Sequence, residues 1–204
     1  MSRNTSPDST FRAGAAAVSI TPAVGAPLAG SYSTRVSEGI IDDLAAKAIV
    51  VEQAGAKAAF VAVDLSYLTR AAVAEARTLI EAETGIAPER VMISATHTHS
   101  GPTYPRGLAV DTLTASASPL AIEFAEALPR RIARAVAAAN ATVPARISAA
   151  VGREERLSFN RRYRMKDGTV GWMVAKGNPN VLGPAGPTDP DVNMLYFENV
   201  GGEP

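Results

Sequence analysis

Residues 46 to 96 constrain the fold of this chain more than any other stretch. Ala46 to Gln53 is strand-like, Ala54-Gly55 turns it, and Ala58 to Leu65 is a second, almost wholly apolar run. Runs of that length and composition read as strands inside a sheet, so the pair is expected to form a hairpin at the sheet centre. From Thr69 to Thr84 the period changes. Ala72, Val73, Ala76, Leu79 and Ile80 make one helical stripe, with Thr69 as N-cap and Gly85 as the C′ stop. Arg90 to Thr96 is again a buried strand. Strand, helix and strand in that order predict a β-α-β unit with a right-handed crossover, and hence an α/β fold: a mixed β-sheet with flanking helices.

The remaining segments fit around this unit. Residues 1 to 10 are small and polar with nothing to bury, and read as a disordered tail. Ala15 to Ile20 is a short strand ended by Thr21-Pro22, and Val24 to Arg35 is a Gly-, Pro- and Ser-rich loop. Thr103 to Ser118 is long for a connector and is expected to cover the site, with Tyr104 and Arg106 as its functional side chains. Ser118-Pro119 starts a helix whose Phe124, Leu128, Ile132 and Val136 share a face, while Arg130, Arg131 and Arg134 form its solvated side. Pro129 should kink or split it. Arg146 to Gly152 is a strand, Lys166 to Thr169 a hairpin turn, Gly177 to Pro190 a loop, and Val192 to Phe197 the last strand. At 204 residues, one domain over residues 11 to 204 is expected, long enough to bury about 70 per cent of its unfolded surface.

Composition removes several classes of function. With 20 acidic and 20 basic residues, the chain has no electrostatic footprint for nucleic acid or an anionic membrane. It has no cysteine, which excludes disulfides, thiolate metal sites and cysteine nucleophiles and fits a reducing compartment. The first residues contain no apolar signal-peptide core, and no apolar run reaches the length of a membrane span. A cytoplasmic protein without membrane insertion is the expectation.

Both of its histidines, His97 and His99, stand two residues apart where the apolar strand 90 to 96 meets the stop Gly101-Pro102. In extended backbone, residues i and i+2 point to one side with Cα atoms roughly 6.5 to 7 Å apart, so the two imidazoles can converge on one ion. Zinc takes neutral imidazole nitrogen at about 2.0 to 2.1 Å, and a short stiff segment fixes part of a tetrahedral site at small entropic cost. The strand's carboxyl end is also where open α/β sheets bind ligands. A histidine is more often structural or solvated, but here small hydroxyl residues surround the pair, which favours a site. Asp64 closes the strand before the helix. A carboxylate there serves either to orient a metal-bound imidazole through its ring N–H or to cap a turn. The other place for chemistry is Asn160-Arg161-Arg162-Tyr163, since arginine stays charged and grips a carbonyl or oxyanion with parallel donors. A solvated charge run is the plainer reading of that segment.

The sequence Ala95-Thr96-His97-Thr98-His99-Ser100-Gly101-Pro102, after an apolar strand, resembles the signature of the neutral ceramidase family, zinc amidases that cleave the N-acyl bond of ceramide. Other pieces follow in family order: Gly14 with Val18 to Pro22, Gly39-Ile40, Val63-Asp64-Leu65, Asn160-Arg161, Asn178-Pro179, and Asp189-Pro190 leading to Met194 to Phe197. The resemblance spans about residues 12 to 199. It implies that the chain is an N-terminal portion of a ceramidase-like domain, with His97 as a zinc ligand and His99 beside the metal for substrate or proton handling. It further implies Arg161 as an active-site arginine, Asn160 and Tyr163 as substrate contacts, Asp64 behind the metal ligands, Zn2+ as cofactor and a lipid amide as substrate. Ser19 stands where the family commonly has Asp, and Ile41 where many members have His. The family's second zinc histidine, its glutamate and tyrosine ligands and its catalytic serine segment lie beyond the strand ending near Phe197.

Two readings follow. One is a zinc-dependent amide hydrolase; the other is a truncated ceramidase-like domain that turns nothing over, because after His97 and His99 only carboxylates and tyrosines remain as donors. Other His-x-His enzymes fit less well. The metallo-β-lactamase pattern needs Asp where Gly101 stands, and an amidohydrolase barrel carries its pair on the first strand of about 250 residues.

Overall fold

A computed structural model describes residues 10–31, 33–105 and 115–202. Their contacts form two compact units, one running to Arg146 and including Asn199 onward, the other Ile147–Glu198.

The first unit is built on the sheet order β4-β3-β2-β1-β5. Its strands are β1 (Arg12–Ser19), β2 (Ala45–Gln53), β3 (Ala56–Val63), β4 (Val91–Ala95) and the start of β5 (Val143–Arg153). β2 and β3 form the expected hairpin in the middle, with Ala48 opposite Val61. Its turn residues Ala54 (φ 51°) and Gly55 (φ 79°) both adopt the left-handed conformation that suits a two-residue hairpin. β4 runs parallel to β3, and α1 (Arg70–Thr84) connects them. Thr69 caps α1 by accepting from the Ala72 amide, and Gly85 (φ 73°) closes it.

Alternation along β2 and β3 buries Ala46, Ala48 and Val50 with Ala59, Val61 and Val63. They join Ala76 and Ile80 of α1 and Phe124, Leu128, Ile132 and Val136 of α2 (Pro119–Ala139) in one core. α2 begins at the Ser118 cap and is not split at Pro129. The proline removes one backbone hydrogen bond, but it is buried between Leu128 and Ile132 and tertiary packing carries the helix through it. No helix among the described residues is long and apolar enough to cross a membrane.

In the second unit β9 (Asp191–Asn199) lies beside the rest of β5, and a separate three-stranded sheet has the order β7-β6-β8. β6 (Arg162–Met165) and β7 (Val170–Trp172) are joined by the expected turn at residues 166–169. β8 (Val181–Pro184) corrects the sequence expectation of an unbroken loop over 177 to 190. It is an edge strand, where a proline costs no ladder bond, and it pairs with β6 through a register shift at Arg164 and Met165.

Candidate active site

The histidine pair follows directly on β4. Parallel pairing runs past the strand's end: the Thr96 amide donates to the Val63 carbonyl (3.0 Å) and the His97 amide to that of Leu65 (2.9 Å). There the backbone turns, for His97 has φ 64°, a left-handed conformation uncommon for a residue with a side chain. The two rings therefore meet through a turn, and not through the pleat of an extended strand as the sequence suggested.

A second contact locks His97. Its Nδ1 lies 2.7 Å from the Ser66 carbonyl oxygen. A carbonyl can only accept, so Nδ1 carries a proton; in the neutral ring this tautomer leaves the Nε2 lone pair free, the form in which imidazole binds a metal. Nε2 faces Nε2 of His99 at 3.4 Å, with ring centroids 4.9 Å apart and planes at 80°. Two nitrogens on one tetrahedral zinc would be roughly 3.3 Å apart. The pair therefore fits either two vertices of one site, or one ligand with a neighbour in reach of a group bound at the next vertex. Both rings are exposed. Among the described residues no third His, Asp or Glu joins them to complete a metal-binding group.

The described residues of loop 26 to 36 fold against the motif. The Ala29 amide donates to Gly101 (2.9 Å), the Thr103 amide to Pro27 (2.8 Å), and Arg35 Nη2 to the carbonyls of His99 (3.0 Å) and Ala29 (3.2 Å). This contact had no signal in the sequence beyond the loop's small residues. A cleft of about 490 Å3 behind the motif is lined by Leu28, Val36, Ile40, Ile41, Thr98 and Ser100, among others. Ile41 is 99% exposed, and Ser19 hydrogen-bonds Thr21, which reaches Asp43 at 2.7 Å.

Asp64 lies close by but is engaged elsewhere. Its Oδ2 accepts from the Ala45 amide (3.1 Å) and faces Lys47 Nζ at 3.7 Å, tying the end of β3 to the start of β2. The group at the His97 ring N–H is the Ser66 carbonyl, which no side-chain pattern reveals. Tyr104 is drawn into the core, stacked on Tyr67 (5.0 Å), its hydroxyl donating to Tyr67 O (2.9 Å) and accepting from the Thr69 amide (3.1 Å). Arg106, like residues 1 to 9 of the expected tail, lies outside the described residues.

Asn160, Arg161 and Tyr163 belong to the second unit. Asn160 is braced at both ends of its amide: Oδ1 accepts from the Arg162 amide (3.0 Å) and Nδ2 donates to Pro187 O (3.3 Å). Arg161 is exposed. Asn160 and Tyr163 line a hollow of about 670 Å3 with Glu154, Phe159 and Pro187. The Glu154 carboxyl is held below its usual range chiefly by the Arg156 side chain.

A mixed α/β unit presenting two imidazoles beyond the carboxyl end of a strand defines the class. No protein-family model matches the chain and no curated protein matches it in sequence. Solved structures do match. The neutral ceramidase from Pseudomonas aeruginosa superposes with a TM-score of 0.70 and 26% identity over 96% of this chain. A ceramidase complexed with C2 does so with 0.70, 25% and the same coverage. The chain is thus neutral-ceramidase-like along nearly its whole length, and it spans 30% of the length of those proteins.

Proposed function

We propose that this chain carries the first metal ligand and the adjacent proton-handling histidine of a zinc-dependent amide hydrolase that cleaves the N-acyl bond of a ceramide-like lipid amide. The observation that supports it most is the His97 ring, its Nδ1 proton given to Ser66 O at 2.7 Å and its Nε2 turned toward His99. A bound Zn2+ supplies Lewis acidity, polarising the scissile carbonyl or lowering the pKa of a water. His97 would hold that ion through Nε2. His99, exposed and 3.4 Å away, would orient the amide or pass a proton to the leaving amine. Arg161 would grip the oxyanion with parallel N–H donors, with Asn160 and Tyr163 as substrate contacts. Asp64 holds the β2 and β3 ends under the motif as a supporting group. The neutral net charge fits a substrate other than nucleic acid, and a cytoplasmic site of action is part of the proposal.

Because only two imidazoles converge among the described residues, turnover requires at least one further donor. The same count favours a second reading, a ceramidase-like domain that holds metal weakly and is inert. Zinc content after dialysis and release of free amine from an N-acyl substrate separate the two. Stoichiometric zinc with turnover supports the hydrolase; an empty, inactive protein overturns it.

A further inference from the structure

We propose that Gly30 is the positioning residue for His99, its bare Cα being what allows the imidazole to stand against loop 26 to 36 and face His97. The proposal rests on the reading of His99 as a functional group, although the ring's placement is measurable without metal or substrate. Gly30 has φ 84°, and a Cβ on it would lie 2.3 Å from His99 Cγ, 2.5 Å from Nδ1 and 2.7 Å from Cβ. Carbon atoms in contact prefer about 3.5 to 4.0 Å, so a methyl group there overlaps the ring by more than an ångström.

The loop has little room to retreat. Ala29, next to Gly30, donates its amide to Gly101 and accepts from Arg35, while the same guanidinium nitrogen holds the His99 carbonyl. Leu28 in turn donates to Arg35 O at 2.8 Å. With Ala29 tied to Gly101 and one guanidinium holding the carbonyls of both Ala29 and His99, an added methyl displaces the His99 side chain from its Cβ outward, and that displacement breaks the 3.4 Å approach of the two Nε2 atoms. Gly25, immediately before this loop, supplies the control. Its φ is 93°, yet a Cβ on it meets only Leu120 Cδ1 at 3.8 Å, an ordinary contact. Gly25→Ala therefore carries the cost of a left-handed alanine without the overlap.

The chain's two histidines give only two ring spin systems in a long-range 1H–15N correlation experiment. In Gly30→Ala the His99 ring signals should move and its cross-relaxation with the His97 ring should vanish, while the Nδ1-protonated pattern of His97 persists. Gly25→Ala should leave both rings unchanged. A Gly30→Ala spectrum with the pairing intact overturns the proposal. Should Gly30→Ala fail to fold, the His99→Gly background decides. There the thermal penalty of Gly30→Ala should shrink to that of Gly25→Ala, and an undiminished penalty overturns the proposal equally. Absence of zinc and turnover in the parent protein would instead sink the hydrolase reading and leave the ring placement standing.

Discussion

His97 Nδ1 and the Ser66 carbonyl oxygen are 2.7 Å apart, and this contact decides the chemistry of the site. It joins His97, two residues past the end of β4, to the segment between β3 and α1, sets the tautomer of the neutral imidazole, and helps hold a left-handed backbone that costs of order 1 to 3 kcal/mol by itself. An oriented ring N–H is the usual support of a metal-binding histidine. For the zinc ligand proposed at His97, a backbone carbonyl would provide it.

Replacing the two rings separately distinguishes their roles. His97→Ala should abolish zinc retention, whereas His99→Ala should keep the metal and lower amide hydrolysis by about 10²- to 10⁴-fold, the range for a lost general acid or base. Metal analysis after dialysis, paired with amine release, checks this. Equal zinc retention in both variants would refute the assignment.

Tyr104→Phe should destabilise the first unit by about 1 to 3 kcal/mol, because the Tyr67 carbonyl and the Thr69 cap amide each lose a partner. Zinc retention should not change. Urea unfolding followed by circular dichroism measures the loss, and an unaltered midpoint would show that the hydroxyl contributes nothing.

Leu128→Ala leaves a void in the layer between α2 and the sheet, where Leu128 is fully buried with Ile132 and Val136. The expected loss is about 2 to 5 kcal/mol. Val151→Ala, at a site 63% exposed, should stay within about 0.5 kcal/mol. Similar costs at the two positions would contradict the assigned core.

Acid should loosen the β6–β7 hairpin. The Asp167 carboxyl is held below its usual range mainly by the Thr169 hydroxyl, with the Thr169 amide adding to it. A depressed carboxylate stabilises the fold fully above its unfolded pKa, about 3.9, and that contribution is lost as pH falls through the lower folded value. The Thr169 amide shift, followed on acidification, should titrate below the range of an ordinary Asp. In Asp167→Asn that titration should be absent. A midpoint at or above the usual value would refute the assignment.

What the sequence determined by itself was whatever depends on neighbours along the chain. The 46–65 hairpin, the helices from Thr69 and Ser118, the turn at 166–169 and a histidine pair just past a strand follow from period, caps and turn residues that act within a few positions. The ceramidase-like fold was legible in the same way, from the order of short motifs. Tertiary structure decided which groups face each other. Ser66 took the His97 ring, Asp64 was held by Ala45 and Lys47, Tyr104 was recruited to the core, and Gly30 was brought under His99. Those partners are separated by up to 69 residues, as with Gly30 and His99, and nothing periodic marks a backbone carbonyl or a missing Cβ as part of a site. Long-range packing and a left-handed turn set the ring directions, and these follow from the folded backbone as a whole.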